Sequence, residues 1–289
     1  MDSRYFFNSS PFLSTQGKAE IVEIQQGISG ARLAIFKNQT EGCSPLKAPF
    51  GSIEIFGPYS SSGVYQLLNR LDEKVKELKL QTIRITHPPD GYDTETSYLI
   101  AKAMQKHGFQ IVHQDLNFHL EVEGDFKKHL HRSERWKLNK SKRSGYRFHP
   151  IAKPIWDEVF PLLLRSRERK GFILSMNQAE LENAFLQFPK VYEMWGVSFE
   201  NQLVAMAITV RVNSEILYVF YTADDLNHRK LSPVVLLHEG LYQYSMEEKF
   251  RLLDLGTASV KGLVNGGVAT FKRNLGGVAS LKQSWVKRY

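Results

Sequence analysis

The stretch from Val191 to Ala223, VYEMWGVSFENQLVAMAITVRVNSEILYVFYTA, constrains the fold more than any other part of the chain. Apolar and polar residues alternate along three runs, and the runs break only at Glu200-Asn201 and Asn213-Ser214, pairs that suit tight turns. The pattern predicts an antiparallel meander. The residues after it narrow the architecture. Ser232-Pro233 reads as a helix start, with Ser232 as the capping residue, Pro233 at the first helical position, and Val234, Leu237, Leu241 and Tyr244 as the buried stripe. RLLDLGTAS then predicts a strand, GGVATFKRN a short helix and VASLKQSWVKRY a closing strand.

The first half carries a similar order. AEIVEIQQG and ARLAIFKNQT, separated by Gly27 to Gly30, read as a hairpin, and GSIEIFG as a third strand. After an SSSG turn at Ser60 to Gly63, apolar residues at 64, 67, 68, 71, 75 and 78 predict a helix over Val64 to Leu80. QTIRITH reads as a buried strand, YDTETSYLIAKAMQKHG as a helix closed by Gly108, and FQIVHQDLNFHLEV as a long strand. A basic helix ended by Gly145, the short strand YRFHPI and helices over Pro154 to Lys170 and Asn177 to Phe188 lead into the meander. Two similarly ordered halves predict an internally duplicated α/β architecture, and 289 residues with 42% hydrophobic content supply enough apolar surface for two modest cores.

The net charge of +8 is local: Lys127 to Arg147 holds nine Lys or Arg against Glu134 alone, so the rest of the chain sums to neutrality. Such a segment serves equally as a solvated helix face or as an attractor of a polyanion such as RNA, a nucleotide or an acidic head group, with Trp136 and Tyr146 available to stack on bases. MDSRYFFNSS has no basic-then-apolar leader pattern, and the longest apolar run, Leu203 to Val210, is too short to cross a bilayer. The expectation is a cytoplasmic, soluble protein without a membrane span. Cys43 is the single cysteine, which excludes an intrachain disulfide and a cysteine-based zinc cluster, and no metal is expected.

Three groups of residues carry candidate chemistry. Asn227, His228, Arg229 and Lys230 lie just upstream of the helix start at Ser232, where free backbone N–H groups and a partial positive charge favour an anion; a polar loop is the plainer reading. Asp254 lies inside an apolar strand and needs a partner there, either a substrate amine or a nearby cation in a structural ion pair. Lys272 and Arg273 sit on a short segment fenced by Gly266-Gly267 and Gly276-Gly277.

The meander, the NHRKLSP loop and helix, the LLDLG strand, the GGVATFKRNLGG segment and the closing strand resemble the GNAT superfamily. With PFGS at Pro49 to Ser52 and RSERWKLNKSKRSG at Arg132 to Gly145, they resemble more narrowly its FemAB-like branch. The resemblance implies an α/β (α+β) fold of two tandem GNAT-like domains, 1–125 and 148–289, each a mixed, largely antiparallel sheet flanked by helices, joined by a basic helix over 126–147. It implies an acyltransferase, moving an acyl or aminoacyl group from a thioester or tRNA ester to an amine, in bacterial-type cell-wall or small-molecule metabolism. The donor would be acyl-coenzyme A or aminoacyl-tRNA, and the acceptor a small-molecule or nucleotide-linked amine. The chain departs from both kinds of relative: NHRKLSP lacks the glycines of a pyrophosphate loop, and the chain has no room for the extra helical hairpin of the cell-wall enzymes. Asn227, His228, Arg229, Lys230 and Ser232 would therefore bind the donor through side chains. Where such enzymes place a tyrosine acid this chain has Leu275-Gly276-Gly277, which leaves Tyr221, or Tyr242 and Tyr244, as substitutes. Asp254 would orient or deprotonate the amine, Lys272 would neutralise a phosphate or carboxylate, and His87, Arg273 and Trp136 would line the acceptor cleft. Two other classes compete: a nucleic-acid-binding protein acting through 127–147, and a catalytically inactive GNAT-like ligand-binding module.

Overall fold

A computed structural model describes every residue except 1–2, 59–60, 170 and 172, so Ser60 of the expected turn and the Lys170 helix end lie outside the described residues. The chain divides into two compact units, one of residues 1–117, 257–265 and 279–289 and the other of 118–256 and 266–278.

The first unit opens with a helix that the apolar spacing does not predict, α1 (Ser10–Gln16), begun by the Ser9 side chain accepting from the Phe12 N–H. The expected hairpin comes next as β1 (Ala19–Gln26) and β2 (Ser29–Asn38), in register from Ala19 opposite Phe36 to Gln26 opposite Ser29. A short β3 (Glu41–Ser44) is an addition, and GSIEIFG is a strand only at β4 (Glu54–Phe56). Helix α2 (Ser61–Leu78) begins earlier than expected, because Ser61 to Gly63 are helical and form no turn. Its stripe of Val64, Leu67, Leu68, Leu71 and Val75 is buried against Leu33 and Ile35 of β2 and Ile83 and Ile85 of β5 (Thr82–Thr86). Helix α3 (Thr94–Lys106), capped by Asp93 accepting from the Thr96 N–H, adds Ile100, Ala103 and Met104 to this core, and β6 (Gln110–Glu121) leads into the second unit.

There the expected single basic helix is two, α4 (Phe126–His129) and α5 (Arg132–Arg143). Leu130 is extended and buried, and the His131 ring caps α5 by accepting from the Ser133 N–H, which ends one helix and starts the other. Both belong to the second unit rather than forming a linker. Next come β7 (Arg147–Pro150), α6 (Trp156–Arg169) and α7 (Gln178–Gln187), the last started by a reciprocal Asn177–Glu180 capping box. The meander is present as β8 (Tyr192–Phe199), β9 (Gln202–Arg211) and β10 (Ile216–Asp224). Glu200 and Asn201 both have positive φ, 47° and 64°, as a two-residue hairpin loop of matching twist requires. Helix α8 (Pro233–Glu247) packs so closely on β7 that a Cβ at Gly240 would lie 2.3 Å from the Phe148 ring. Strand β11 (Leu252–Thr257) extends the sheet, whose order in this unit is β11-β10-β9-β8-β7.

The chain then revisits the first unit as a hairpin, β12 (Ser259–Val260) and β13 (Leu263–Val264), returns to the second as α9 (Gly266–Asn274), and closes with β14 (Val278–Arg288). From Ala279 onward the closing strand belongs to the first unit, not to a 148–289 domain. Ser284 to Arg288 pair antiparallel with Thr86 to Thr82 of β5, and Trp285 joins that core. The first unit's sheet thus runs β1-β2-β3-β5-β14, with β3 and β5 parallel and β4 also on β2. Among the described residues no helix is long and apolar enough to cross a membrane, and no cluster of His, Cys, Asp and Glu side chains is placed to hold a metal ion.

Candidate active site

Strands β10 and β11 run parallel, but their register covers only Ile216 to Tyr218 against Leu252 to Asp254. Beyond Tyr218 and Asp254 both strands continue without pairing each other, which leaves an open place inside a sheet. Gly256 lies at that place with φ 77°, a backbone conformation that side chains rarely adopt. Its N–H donates to Asp254 Oδ1 at 2.8 Å, and its carbonyl accepts from Lys272 Nζ at 2.8 Å. A Cβ at Gly256 would lie 3.7 Å from the Tyr218 hydroxyl and 3.8 Å from Lys272 Nζ, so those two groups converge on the glycine.

Burial dominates the electrostatics. Asp254 is 1% exposed, and loss of solvation around the Lys272 ammonium is the largest influence on it. Desolvation, opposed by the Asp254 carboxylate and assisted by the Arg167 cation, pulls the Lys272 pKa down from 10.5 to about 7. Desolvation, reinforced by the Asp254 charge, pushes the Tyr218 hydroxyl well above its ordinary range, so it is a neutral donor at any physiological pH. Arg167, from α6, lies with its guanidinium 4.9 Å over the Tyr221 ring, and burial disfavours its charge too. The site therefore concentrates Lys272, Asp254, Tyr218 and Arg167 where water is largely excluded.

Residues 181–273, which contain this open place, match the family model for an acetyltransferase (GNAT) domain. Beyond that segment, FemX superposes with a TM-score of 0.75 at 13% identity, over 98% of this chain and 92% of that one. The chain has a FemAB-like GNAT fold. The C-terminal domain of a putative lysylphosphatidylglycerol synthetase from Agrobacterium fabrum is similar over 98% of this chain and 88% of its own, with 12% identity and a TM-score of 0.63. A tandem GNAT protein from the clavulanic acid biosynthesis pathway is similar over 94% and 84%, with 13% identity and a TM-score of 0.54. No curated protein matches the chain in sequence.

Within this GNAT fold the singled-out residues have separate fates. Asp254 and Lys272 come together at the open place. Tyr221 is buried on β10, its hydroxyl held by the Ser175 N–H at 3.1 Å and Ser175 Oγ at 2.6 Å. Tyr242 and Tyr244 on α8 are engaged elsewhere, Tyr242 donating to the Glu123 carbonyl at 2.6 Å and Tyr244 to Glu193 at 2.5 Å. Asn227 to Lys230 form a short 3₁₀ turn, Leu226–Leu231, in which Arg229 and Lys230 are exposed and His228 hydrogen-bonds the Tyr146 hydroxyl at 2.7 Å. Ser232 does not cap α8: its φ of 51° is left-handed, and its hydroxyl turns back to the Arg229 carbonyl. His87 is buried in the first unit against Trp285, hydrogen-bonded through Nδ1 to Ser52 Oγ, and burial drops its pKa to about 3. Arg273 is exposed over Phe118, and Trp136 is 61% exposed.

Tyr218 and Arg167 escape a reading of the sequence for a physical reason. Strict alternation puts Tyr218 and Tyr221 on opposite faces, but the β9–β10 register slips between Val219 and Tyr221, with Thr209 opposite Val219 and Ile208 opposite Tyr221. One extra residue in β10 turns both tyrosines to the same face, toward Arg167. The doubled aromatic signal LYVFY is visible in the sequence; the bulge that aims it is not.

Proposed function

We propose that the chain transfers an aminoacyl group from an oxygen ester to an amine acceptor at the Lys272–Asp254 site. The observation that carries this reading is Lys272: a desolvated ammonium, with a pKa near neutrality, beside a buried carboxylate at the gap between β10 and β11. The acceptor nitrogen attacks the ester carbonyl carbon, forming the C–N bond while the carbonyl electrons move to oxygen. The Lys272 ammonium and the neutral Tyr218 hydroxyl are the donors available to that oxyanion. On collapse the C–O bond to the leaving group breaks, the leaving oxygen takes a proton from Lys272, and Lys272 recovers one from the newly bonded nitrogen. A pKa of about 7 suits both transfers. Asp254 sustains the cation and orients it through the Gly256 turn.

An ester donor is favoured over acyl-coenzyme A by the segment before α8. A pyrophosphate there needs free backbone N–H groups. Pro233 has none, and the N–H groups of Asn227, His228, Ser232 and Val235 are already bonded within the turn. Those groups are therefore not available to the coenzyme's pyrophosphate. Likeness to FemX and to a protein named as a lysylphosphatidylglycerol synthetase supports the aminoacyl class. To test the reading, the protein is incubated with radiolabelled aminoacyl-tRNAs or acyl-coenzyme A and a panel of amines, and label in amide linkage is counted. The expected result is transfer from an aminoacyl ester that is lost in Lys272→Met. Transfer from the thioester alone would refute the donor, and equal transfer by Lys272→Met would refute the site.

A further inference from the structure

Between β11 and α9 the chain forms the β12–β13 hairpin, whose outer side chains are apolar and open to solvent. Val260 is 53% exposed, Leu263 80% and Val264 56%, and the pairing sets Val260 directly opposite Leu263 on one face. Lys261 and Gly262 make the turn, both with positive φ, 51° and 80°, as a two-residue loop of matching twist requires. From Thr257 to Asn265 the segment, TASVKGLVN, carries Lys261 and no acidic residue. Contiguous exposed apolar side chains of this kind mark a contact surface more often than isolated ones do.

The hairpin is pinned to β6 within the first unit. The buried Ser259 hydroxyl donates to Asp115 Oδ1 at 2.7 Å and accepts from the Leu116 N–H at 2.7 Å. The Gly262 N–H donates to the same Asp115 oxygen at 2.9 Å, and the Ala258 N–H to the Leu116 carbonyl at 2.7 Å. Asp115 is thereby engaged with the hairpin's own groups. Three and four residues before it on β6, Val112 and Ile111 are each 42% exposed and extend the apolar surface. Because the backbone that presents these side chains is already ordered, covering them costs little further conformational entropy.

We infer that the β12–β13 hairpin docks the protein on an anionic lipid surface, with Val260, Leu263 and Val264 entering the interface and Lys261 meeting the phosphates of the head groups. The docking does not depend on the transferase reading. Shape and charge select the occupant. A stable contact with a second copy takes about 20–30 residues a side, far more than this narrow crest supplies. A bilayer interface accepts such a crest, because each apolar group withdrawn from water contributes on its own. Val260 and Leu263 pair with each other across the turn, so the backbone groups nearest the tip are satisfied as they enter. A cation set among apolar side chains, in a segment without a carboxylate, matches negatively charged head groups.

The test is flotation of the full chain with vesicles of phosphatidylcholine mixed with phosphatidylglycerol, and of phosphatidylcholine alone. Leu263→Ser is expected to bind the mixed vesicles about tenfold more weakly, and Lys261→Gln about fivefold more weakly on the mixed vesicles only. The basic segment of the second unit also attracts anionic vesicles, but that attraction is screened by salt and indifferent to residue 263. A direct reading of insertion comes from Leu263→Trp, whose added emission should shift to the blue on the mixed vesicles and be quenched by brominated lipid. Circular dichroism and the melting temperature check that all three variants fold, and since the positions are exposed neither is expected to change. Vesicle binding that Leu263→Ser leaves unaltered, or an added tryptophan that brominated lipid does not quench, overturns the inference. So does a dimer, seen in analytical ultracentrifugation, that Leu263→Ser dissolves, because it would give the crest to a second copy of the chain.

Discussion

Burial of Lys272 has a thermodynamic signature that separates it from the surface lysines. Its folded pKa, about 7, lies below the 10.5 of an exposed lysine, so between those values the folded chain binds fewer protons than the unfolded chain. Stability contributed at this position therefore rises with pH across that window and falls as pH drops toward 7. At about 1.4 kcal/mol per pKa unit, the burial penalty is about 4 kcal/mol at pH 7 and about 2 kcal/mol at pH 9. Lys272→Met removes the titration, and its pH-independent cost, the lost bond to the Gly256 carbonyl, cancels when two pH values are compared. Urea denaturation of both proteins at pH 7 and pH 9 should show the stability of the wild type, relative to the variant, climbing by about 2 kcal/mol. Parallel dependence in the two proteins would mean that the ammonium is solvated, and the account of its chemistry would fail with it.

His87 gives a second titration, in the first unit and of the same sign. A histidine pKa depressed to about 3 from 6.5 means that acidification protonates the unfolded chain first. His87→Asn should thus remove about 3 kcal/mol of the stability lost between pH 6.5 and pH 4, read by chemical denaturation at each pH. Gly240→Ala places a methyl 2.3 Å from the Phe148 ring, and should cost about 1–3 kcal/mol, read as a lower melting temperature.

Where burial imposes a period, the sequence is legible. The stripe from Val64 to Val75 and the three meander strands follow from apolar spacing, because each element buries one face against a core. Asp254 stands out for the complementary reason, a carboxylate where the period demands an apolar group, and Lys272 for its glycine fences. Other features have no local signal. The partner of β14 lies about two hundred residues earlier in β5, and nothing in VASLKQSWVKRY tells which strand it joins. Ser232 looks like a cap because serine usually is one; its left-handed backbone follows from the preceding 3₁₀ turn. The break between α4 and α5 depends on His131 serving as a cap, a role its residue type does not advertise. The bulge that brings Tyr218 and Tyr221 to one face is likewise set by the β9–β10 register rather than by residue type.

The most direct test of the central claim is a single-turnover measurement of aminoacyl transfer across pH 5.5 to 9, in the wild type and in Lys272→Met. If the Lys272 ammonium protonates the leaving oxygen, the wild-type rate must fall on an alkaline limb with an apparent pKa near 7, and the variant must be slow and lack that limb. A variant that transfers as fast as the wild type, with the same alkaline limb, would contradict it.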